Sequence, residues 1–387
     1  MSKRQFNTVA VRTGIENDTA YGSVVPPIYL STNYSFPEFN HKGPYDYSRS
    51  GNPTRDILGD VLMELEDGAG CVVTNTGMSA VHLVCSLLNP GDLLIAPHDC
   101  YGGCYRLFDA LAVKGLFDVV FIDQNDQQEL DDALGKDPKL VWLETPSNPL
   151  LRLVDIQSIC EKAHEKSALV VVDNTFLSPA LQNPLVLGAD IVVHSATKYI
   201  NGHSDVVAGA VIAKTSELHD QLSWWANCQG QTGSAFDSYM VLRGLRSLGA
   251  RMRIHQENAQ LVAAFLESQP QVKQVYYPGL TSHPQHELAK RQQHGFGAML
   301  SFELNVDESQ LVQFLNHLKL FCLAESLGGV ESLIAHPATM THAGMSAAAQ
   351  LEAGITPQLL RVSVGLEDGH DLVHDLQQAL AAIGEKA

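Results

Sequence analysis

Asp173 and Lys198 are the residues whose types and placing could do chemistry together. An apolar run at 169–172 leads into Asp173-Asn174-Thr175, and a second run at 191–194 leads into Ser195-Ala196-Thr197-Lys198. A lone lysine after a strand is most often a solvated loop residue, and a lone aspartate there is often a helix cap. Their separation, however, fits one strand, helix and parallel strand, a unit that returns the chain to the same edge of a sheet. Both side chains then face one pocket. A carboxylate can hold a pyridine nitrogen protonated, and a lysine amine can form a Schiff base with an aldehyde. Those are the requirements of pyridoxal 5′-phosphate. The amine must first lose its proton, so a pKa of about 10.4 has to fall toward neutrality in a desolvated or electropositive site.

Such a cofactor also needs an anion cradle. The segment Thr74-Asn75-Thr76-Gly77-Met78-Ser79 reads as a turn from strand to helix, whose opening N–H groups point at an anion. Ser195 and Thr197 add hydroxyl donors, Tyr47 a phenol and Arg49 a guanidinium. Competing motifs fail. No GxxxxGK[ST] run occurs, and Val73 takes the third glycine's place in a GxGxxG beginning at Gly68. His98 and Asp99 beside Cys100 and Cys104 lack a second histidine at ligand spacing. His283, His286 and His294 lie in a segment that reads as a solvated loop and helix face. No metal is expected.

The elements that must position these residues follow from the hydrophobic pattern. Apolar runs recur at 71–74, 93–96, 119–122, 140–144, 169–173, 191–194 and 207–212, with helical stretches such as 79–88 and 105–113 between most of them. Continuous apolar runs alternating with helices predict an α/β domain with a mostly parallel central sheet covered on both faces. Ligands in such sheets sit beyond the carboxyl ends of the strands. Residues 1–60, rich in Pro, Gly, Asn, Tyr and Ser, cannot build a core and predict an extended N-terminal arm packed on something else, such as another subunit. The α/β domain takes 61–256, and a helical region at 238–268, broken near Gly249, leads out of it. Strands at 272–277, 299–304 and 360–364 with helices at 308–318 and 372–383 predict a C-terminal α+β domain over 257–387.

Composition narrows the partners. The 387 residues suit two or three domains, and 25 Lys+Arg against 43 Asp+Glu leave a net charge of −18. That deficit argues against nucleic acid, whose binding rests on Lys and Arg at phosphates. No run of about 20 apolar residues predicts a membrane span, and the N-terminus lacks the apolar stretch of a secretory signal. Seven cysteines without a CxxC pair disfavour a disulfide framework and fit a reducing cytoplasm. Charged residues make up 18%, which hints at further surface buried between subunits.

The chain resembles the cysteine and methionine metabolism branch of fold-type I pyridoxal-phosphate enzymes over its whole length. The resemblance is carried by Asp46-Tyr47-Ser48-Arg49-Ser50-Gly51-Asn52-Pro53, Asn75-Thr76-Gly77-Met78-Ser79, Tyr101-Gly102-Gly103, Glu144-Thr145-Pro146-Ser147-Asn148-Pro149, Asp173-Asn174-Thr175, Ser195-Ala196-Thr197-Lys198, Glu325-Ser326-Leu327-Gly328-Gly329 and Leu360-Arg361-Val362-Ser363. It implies a fold-type I transferase in which Lys198 anchors the cofactor and shuttles protons, Asp173 pairs with the ring nitrogen and Tyr101 stacks on the ring. Gly77, Met78, Ser195 and Thr197 hold the phosphate, with Tyr47 and Arg49 reaching in from a neighbouring subunit of a homo-oligomer, usually a tetramer built as a pair of dimers. Arg361, with Asn148 and Ser326, binds the α-carboxylate of an amino-acid substrate, and Glu325 and Asp46 join the substrate site. Leu327 replaces the aromatic residue of the β-eliminating members, and Gly103 the cysteine of the methionine-cleaving ones. Asp46 and Arg106 tilt the reading to γ-replacement, with Arg106 meeting a succinyl carboxylate or else lying on a helix surface. The implied reaction joins O-succinylhomoserine and L-cysteine into cystathionine and succinate, on the way to methionine; a γ-eliminating or a sulfide-using member of the branch is the alternative.

Overall fold

The structure, a computed structural model, describes residues 4–344, 350–351 and 353–383. Seven strands form the large sheet: β1 (Gly70–Thr74), β2 (Leu93–Pro97), β3 (Asp118–Ile122), β4 (Leu140–Glu144), β5 (Leu169–Asp173), β6 (Ile191–His194) and β7 (Gly209–Ala213). Their spatial order is β1-β7-β6-β5-β4-β2-β3. Neighbours from β6 through β3 are parallel, and β7 runs antiparallel to both β1 and β6. The reason for that reversal is local: the chain passes from β6 to β7 through a loop with no helix, and a parallel return needs a long crossover.

Every residue of β4, β6 and β7 is buried, which is why these strands read as unbroken apolar runs. Val141, Leu143, Val170, Val172 and Val192 face one core, and Leu140, Trp142, Val171, Ile191 and Val193 face the other. The helices α1 (Phe6–Arg12) and α2 (Pro53–Glu66) pack on the first side, and α3 (Gly77–Cys85) and α4 (Gly102–Val113) on the second. Sequence signals fix how α2 begins: Pro53 opens it, and the Asn52 side chain accepts the amides of Thr54 and Arg55.

A second sheet, ordered β10-β11-β12-β9-β8, is built from β8 (Val272–Tyr276), β9 (Met299–Leu304), β10 (Cys322–Leu323), β11 (Leu333–Ala335) and β12 (Leu359–Ser363). The helices Leu248–Glu267, Glu308–His317 and Gly369–Ile383 contribute to the core beneath it. The helical region expected at 238–268 breaks at Arg246-Ser247, close to Gly249. A Cβ on Gly249 would stand 2.0 Å from Asn7 Oδ1, so this glycine serves the close approach of the arm and not a helix end. The arm itself is helical at α1, where Val9 and Ala10 are buried. Beyond α1 it exposes large apolar side chains, Tyr21 at 94% and Phe39 at 91% among them. Among the described residues no helix is long and apolar enough to cross a membrane.

Candidate active site

A cavity of about 370 Å³ opens at the carboxyl ends of β4, β5 and β6. Asp173 ends β5 and Lys198 follows β6, and both line it, as the single crossover requires. The Lys198 amine donates to Ser326 Oγ at 2.7 Å. Burial lowers its pKa to about 8, helped by the positive charge of Arg361 and opposed by Glu325. Burial pushes the Asp173 carboxyl up, while the Thr175 hydroxyl and amide pull it back toward the charged form. The Thr175 amide donates to Asp173 Oδ1 at 3.0 Å.

The turn into α3 forms the cradle. Thr76 caps the helix by accepting the Ser79 amide, and the amides of Gly77 and Met78 have no acceptor among the described residues. A Cβ on Gly77 would lie 2.7 Å from Ser195 Cβ, so only glycine lets this turn meet the one that carries Ser195. Ser195 and Thr197 both line the cavity. The Thr197 hydroxyl is engaged with Ala208, donating to its carbonyl at 3.1 Å and accepting its amide at 3.0 Å. The Ser195 hydroxyl has no protein partner among the described residues.

Tyr101 stands at the start of α4, 42% exposed, with its ring over Gly103. A Cβ on Gly103 would stand 2.5 Å from Tyr101 Cε1, which explains why no side chain occupies that position. Burial pushes the Tyr101 phenol up. Across the cavity, Arg361 of β12 is buried and, among the described residues, meets no carboxylate. Its guanidinium donates to Asn148 Oδ1 at 3.1 Å and to the Ser326 carbonyl at 2.9 Å. Burial lowers its pKa to about 10. Glu325 lines the cavity from its exposed side.

Four sequence candidates lie outside this cavity within the chain. Tyr47 and Arg49 are exposed on the arm, where Arg49 donates to the Asn227 carbonyl at 2.5 Å and to its Oδ1 at 2.7 Å. Asp46 accepts the Tyr47 amide and the Ser50 hydroxyl. Arg106 is exposed on α4, its Nη1 within 3.6 Å of a Cβ built on Gly102 and 3.5 Å of one built on Gly344.

Sequence reasoning assigned no task to Glu144, which ends β4 and lines the same cavity. The strand-end rule that picked out Asp173 applies to it equally. It also missed a buried pair on the other face of the sheet. His194 Nε2 lies 2.6 Å from Glu66 Oε1, and Asn174 Nδ2 donates to the same oxygen at 2.9 Å. Both ring and carboxyl are fully buried, and the pair ties α2 to the strand ends that carry Asn174 and Ser195. The residues in the cavity fit pyridoxal 5′-phosphate: a cradle that one methyl group would fill, an amine near neutrality and a carboxyl group on the adjacent strand end.

Residues 7–381 match the profile of the family described as Cys/Met metabolism PLP-dependent enzyme. Over 383 residues the chain is 61% identical to the cystathionine gamma-synthase of Escherichia coli (strain K12), covering 99% of each. It is 45% identical to the cystathionine beta-lyase of Coxiella burnetii, over 98% of each. Among solved structures, cystathionine gamma synthase from Xanthomonas oryzae pv. oryzae in complex with cystathionine superposes with a TM-score of 0.97 at 59% identity, covering 98% of each chain. This chain belongs to the Cys/Met metabolism family of enzymes that depend on pyridoxal phosphate.

Proposed function

We propose that the chain catalyses γ-replacement: O-succinylhomoserine and L-cysteine give L-cystathionine and succinate, a step of methionine biosynthesis by transsulfuration. One observation carries the chemistry. Lys198, with its amine near neutrality, shares a cavity with Asp173 and with a buried arginine that has no carboxylate partner among the described residues. The choice of reaction within the family is supported by 61% and 59% identity to two cystathionine γ-synthases, against 45% to a β-lyase.

Pyridoxal 5′-phosphate, when bound, supplies an aldehyde for amines and a ring that draws electrons away from the substrate's Cα–H. The Gly77 and Met78 amides and the Ser195 hydroxyl would hold its phosphate, joined by Thr197 if its hydroxyl turned from Ala208. Asp173 would hold a proton on the ring nitrogen, and Tyr101 would flank the ring. Lys198 would anchor the aldehyde, and its neutral amine would take the substrate's Cα proton and return protons as cysteine adds at Cγ. The Ser326 hydroxyl steers that amine. Arg361 takes the substrate α-carboxylate in a bidentate grip, with Asn148 setting its plane. Tyr101 moves protons near the leaving group, while Arg106 meets the succinyl carboxylate and Glu325 and Asp46 complete the substrate site.

Tyr47 and Arg49 serve the cavity of a second copy, in a homo-oligomer that is a dimer at least and a tetramer in its full form. Seven unpaired thiols suit the reducing cytoplasm. The test is direct. Purified holoenzyme with O-succinylhomoserine and cysteine is expected to release succinate and cystathionine in equal amounts. Inactivity there, with rapid breakdown of cystathionine alone, would make it a lyase; turnover with sulfide in preference to cysteine would make it a sulfhydrylase.

A further inference from the structure

Glu144 stands in the cavity without a task in the scheme above. It closes β4 as the register partner of Asp173 on β5, so two carboxyl side chains leave adjacent strands about 4.8 Å apart toward one face. Its Oε2 accepts the Tyr101 main-chain N–H at 2.7 Å. The Asn148 main-chain N–H also pulls its carboxyl toward the charged form. Tyr101 carries the ring beside the cofactor site, and Asn148 orients Arg361 through its Oδ1. One buried carboxyl thus joins the flanking ring to the loop that sets the carboxylate-binding arginine.

Its surroundings bear on its charge. The titratable groups that face it are Asp173 on β5, Asp99 beyond β2, and the thiols of Cys100 and Cys104 around the start of α4. Among the described residues no lysine or arginine bonds it. Burial and the charge of Asp173 push its carboxyl well above the ordinary range, against the pull of the two amides. Burial raises the Asp173 carboxyl too, but the Thr175 hydroxyl and amide and the charge of His194 favour its charged form. Two like charges on adjacent strand ends in one desolvated cavity do not both persist.

We propose that Glu144 is a positioning residue that works as an uncharged acid, fixing Tyr101 and Asn148 while leaving Asp173 the pair's one negative charge at the cofactor's ring nitrogen. The inference rests on the reading that this cavity takes pyridoxal phosphate. Its test compares wild type, Glu144→Gln and Glu144→Asp, each reconstituted with pyridoxal phosphate. Gln keeps the reach and the acceptor but cannot ionise; Asp can ionise but falls one methylene short of the Tyr101 amide. The readouts are the pH titration of the cofactor's visible band, its induced circular dichroism, cofactor affinity, and kcat and KM separately.

Glu144→Gln is expected to stay within about threefold of wild type in cofactor affinity and kcat, with the same titration midpoint. Glu144→Asp is expected to lose induced circular dichroism and to raise KM about tenfold or more. The proposal is overturned if Gln moves the midpoint by about one pH unit or loses about tenfold in cofactor affinity. It is equally overturned if Asp matches wild type in circular dichroism and KM. Should Glu144→Asp not fold, as judged by far-UV circular dichroism, the Gln variant decides by the same limits. Wild type that took up no pyridoxal phosphate would instead defeat the reading of the cavity.

Discussion

At the scale of single residues, the site turns on how two cations share a desolvated space. Burial and Arg361 together hold the Lys198 amine at about 8, so about a tenth of it is neutral at pH 7, against a few parts in ten thousand for an exposed lysine. Capture of pyridoxal phosphate by the apoenzyme needs the neutral amine. Its rate should rise about tenfold per pH unit up to about 8 and then level off, as stopped-flow absorbance would show. Replacing Arg361 by Met removes a positive neighbour, which favours the protonated amine, so the levelling point should move to higher pH. The same variant leaves the substrate carboxylate unpaired and should raise the barrier behind kcat/KM by about 2–5 kcal/mol, mostly through KM. Lys198→Ala removes both anchor and base; proton transfer alone typically supplies ~10²–10⁴-fold, so turnover should be nearly abolished. Asp173 and Lys198 were legible in the sequence because each follows an apolar run at the same end of a strand. The Glu66–His194 pair was not, since a contact between residues 128 apart leaves no periodic mark.

At the scale of elements, strand ends and helix starts do the placing. The strands β4, β5 and β6 fall where the apolar runs predicted, at Leu140–Glu144, Leu169–Asp173 and Ile191–His194, because burial on both faces leaves no polar residue inside them. Helix starts were less legible. The helix expected from 79 begins at Gly77, because the Thr76 hydroxyl and not the apolar period sets its first turn. β10 and β11, two and three residues long, are too short to show any period. The close packing of α3 against the Ser195 turn gives a sharp test. Gly77→Ala would place a methyl group 2.7 Å from Ser195 Cβ, so the turns must separate and the phosphate donors diverge. Losing one charge-assisted hydrogen bond costs about 1.5–3 kcal/mol. Cofactor affinity should therefore fall at least about tenfold in an absorbance titration. Thermal stability of the apo-protein should change far less, because the clash lies at the cavity and not in the core.

At the scale of the whole molecule, the arm bears on the proposed homo-oligomer. Its apolar side chains between Tyr21 and Phe39 are exposed, and large patches of this kind mark protein contacts. Arg49 bonds Asn227 and lines a separate cavity between α2, β1 and the helix Ser216–Gln229, away from its own chain's Lys198. If Arg49 completes the phosphate site of a second copy, the two residues of one working site come from different chains. Lys198→Ala and Arg49→Ala homo-oligomers should then both be inactive, the first for want of the amine and the second for want of the guanidinium. In a mixed dimer one site inherits both defects and the other inherits neither. Unfolding and refolding equal amounts together should give random pairs, and since half of these are mixed with one sound site of two, activity should recover to about a quarter of wild type. Mixing without dissociation should recover none, which separates subunit exchange from any effect of concentration. Refolded mixtures no more active than their separate parts would mean that Arg49 serves its own chain, and the arm would then be a dimer contact without a share in catalysis.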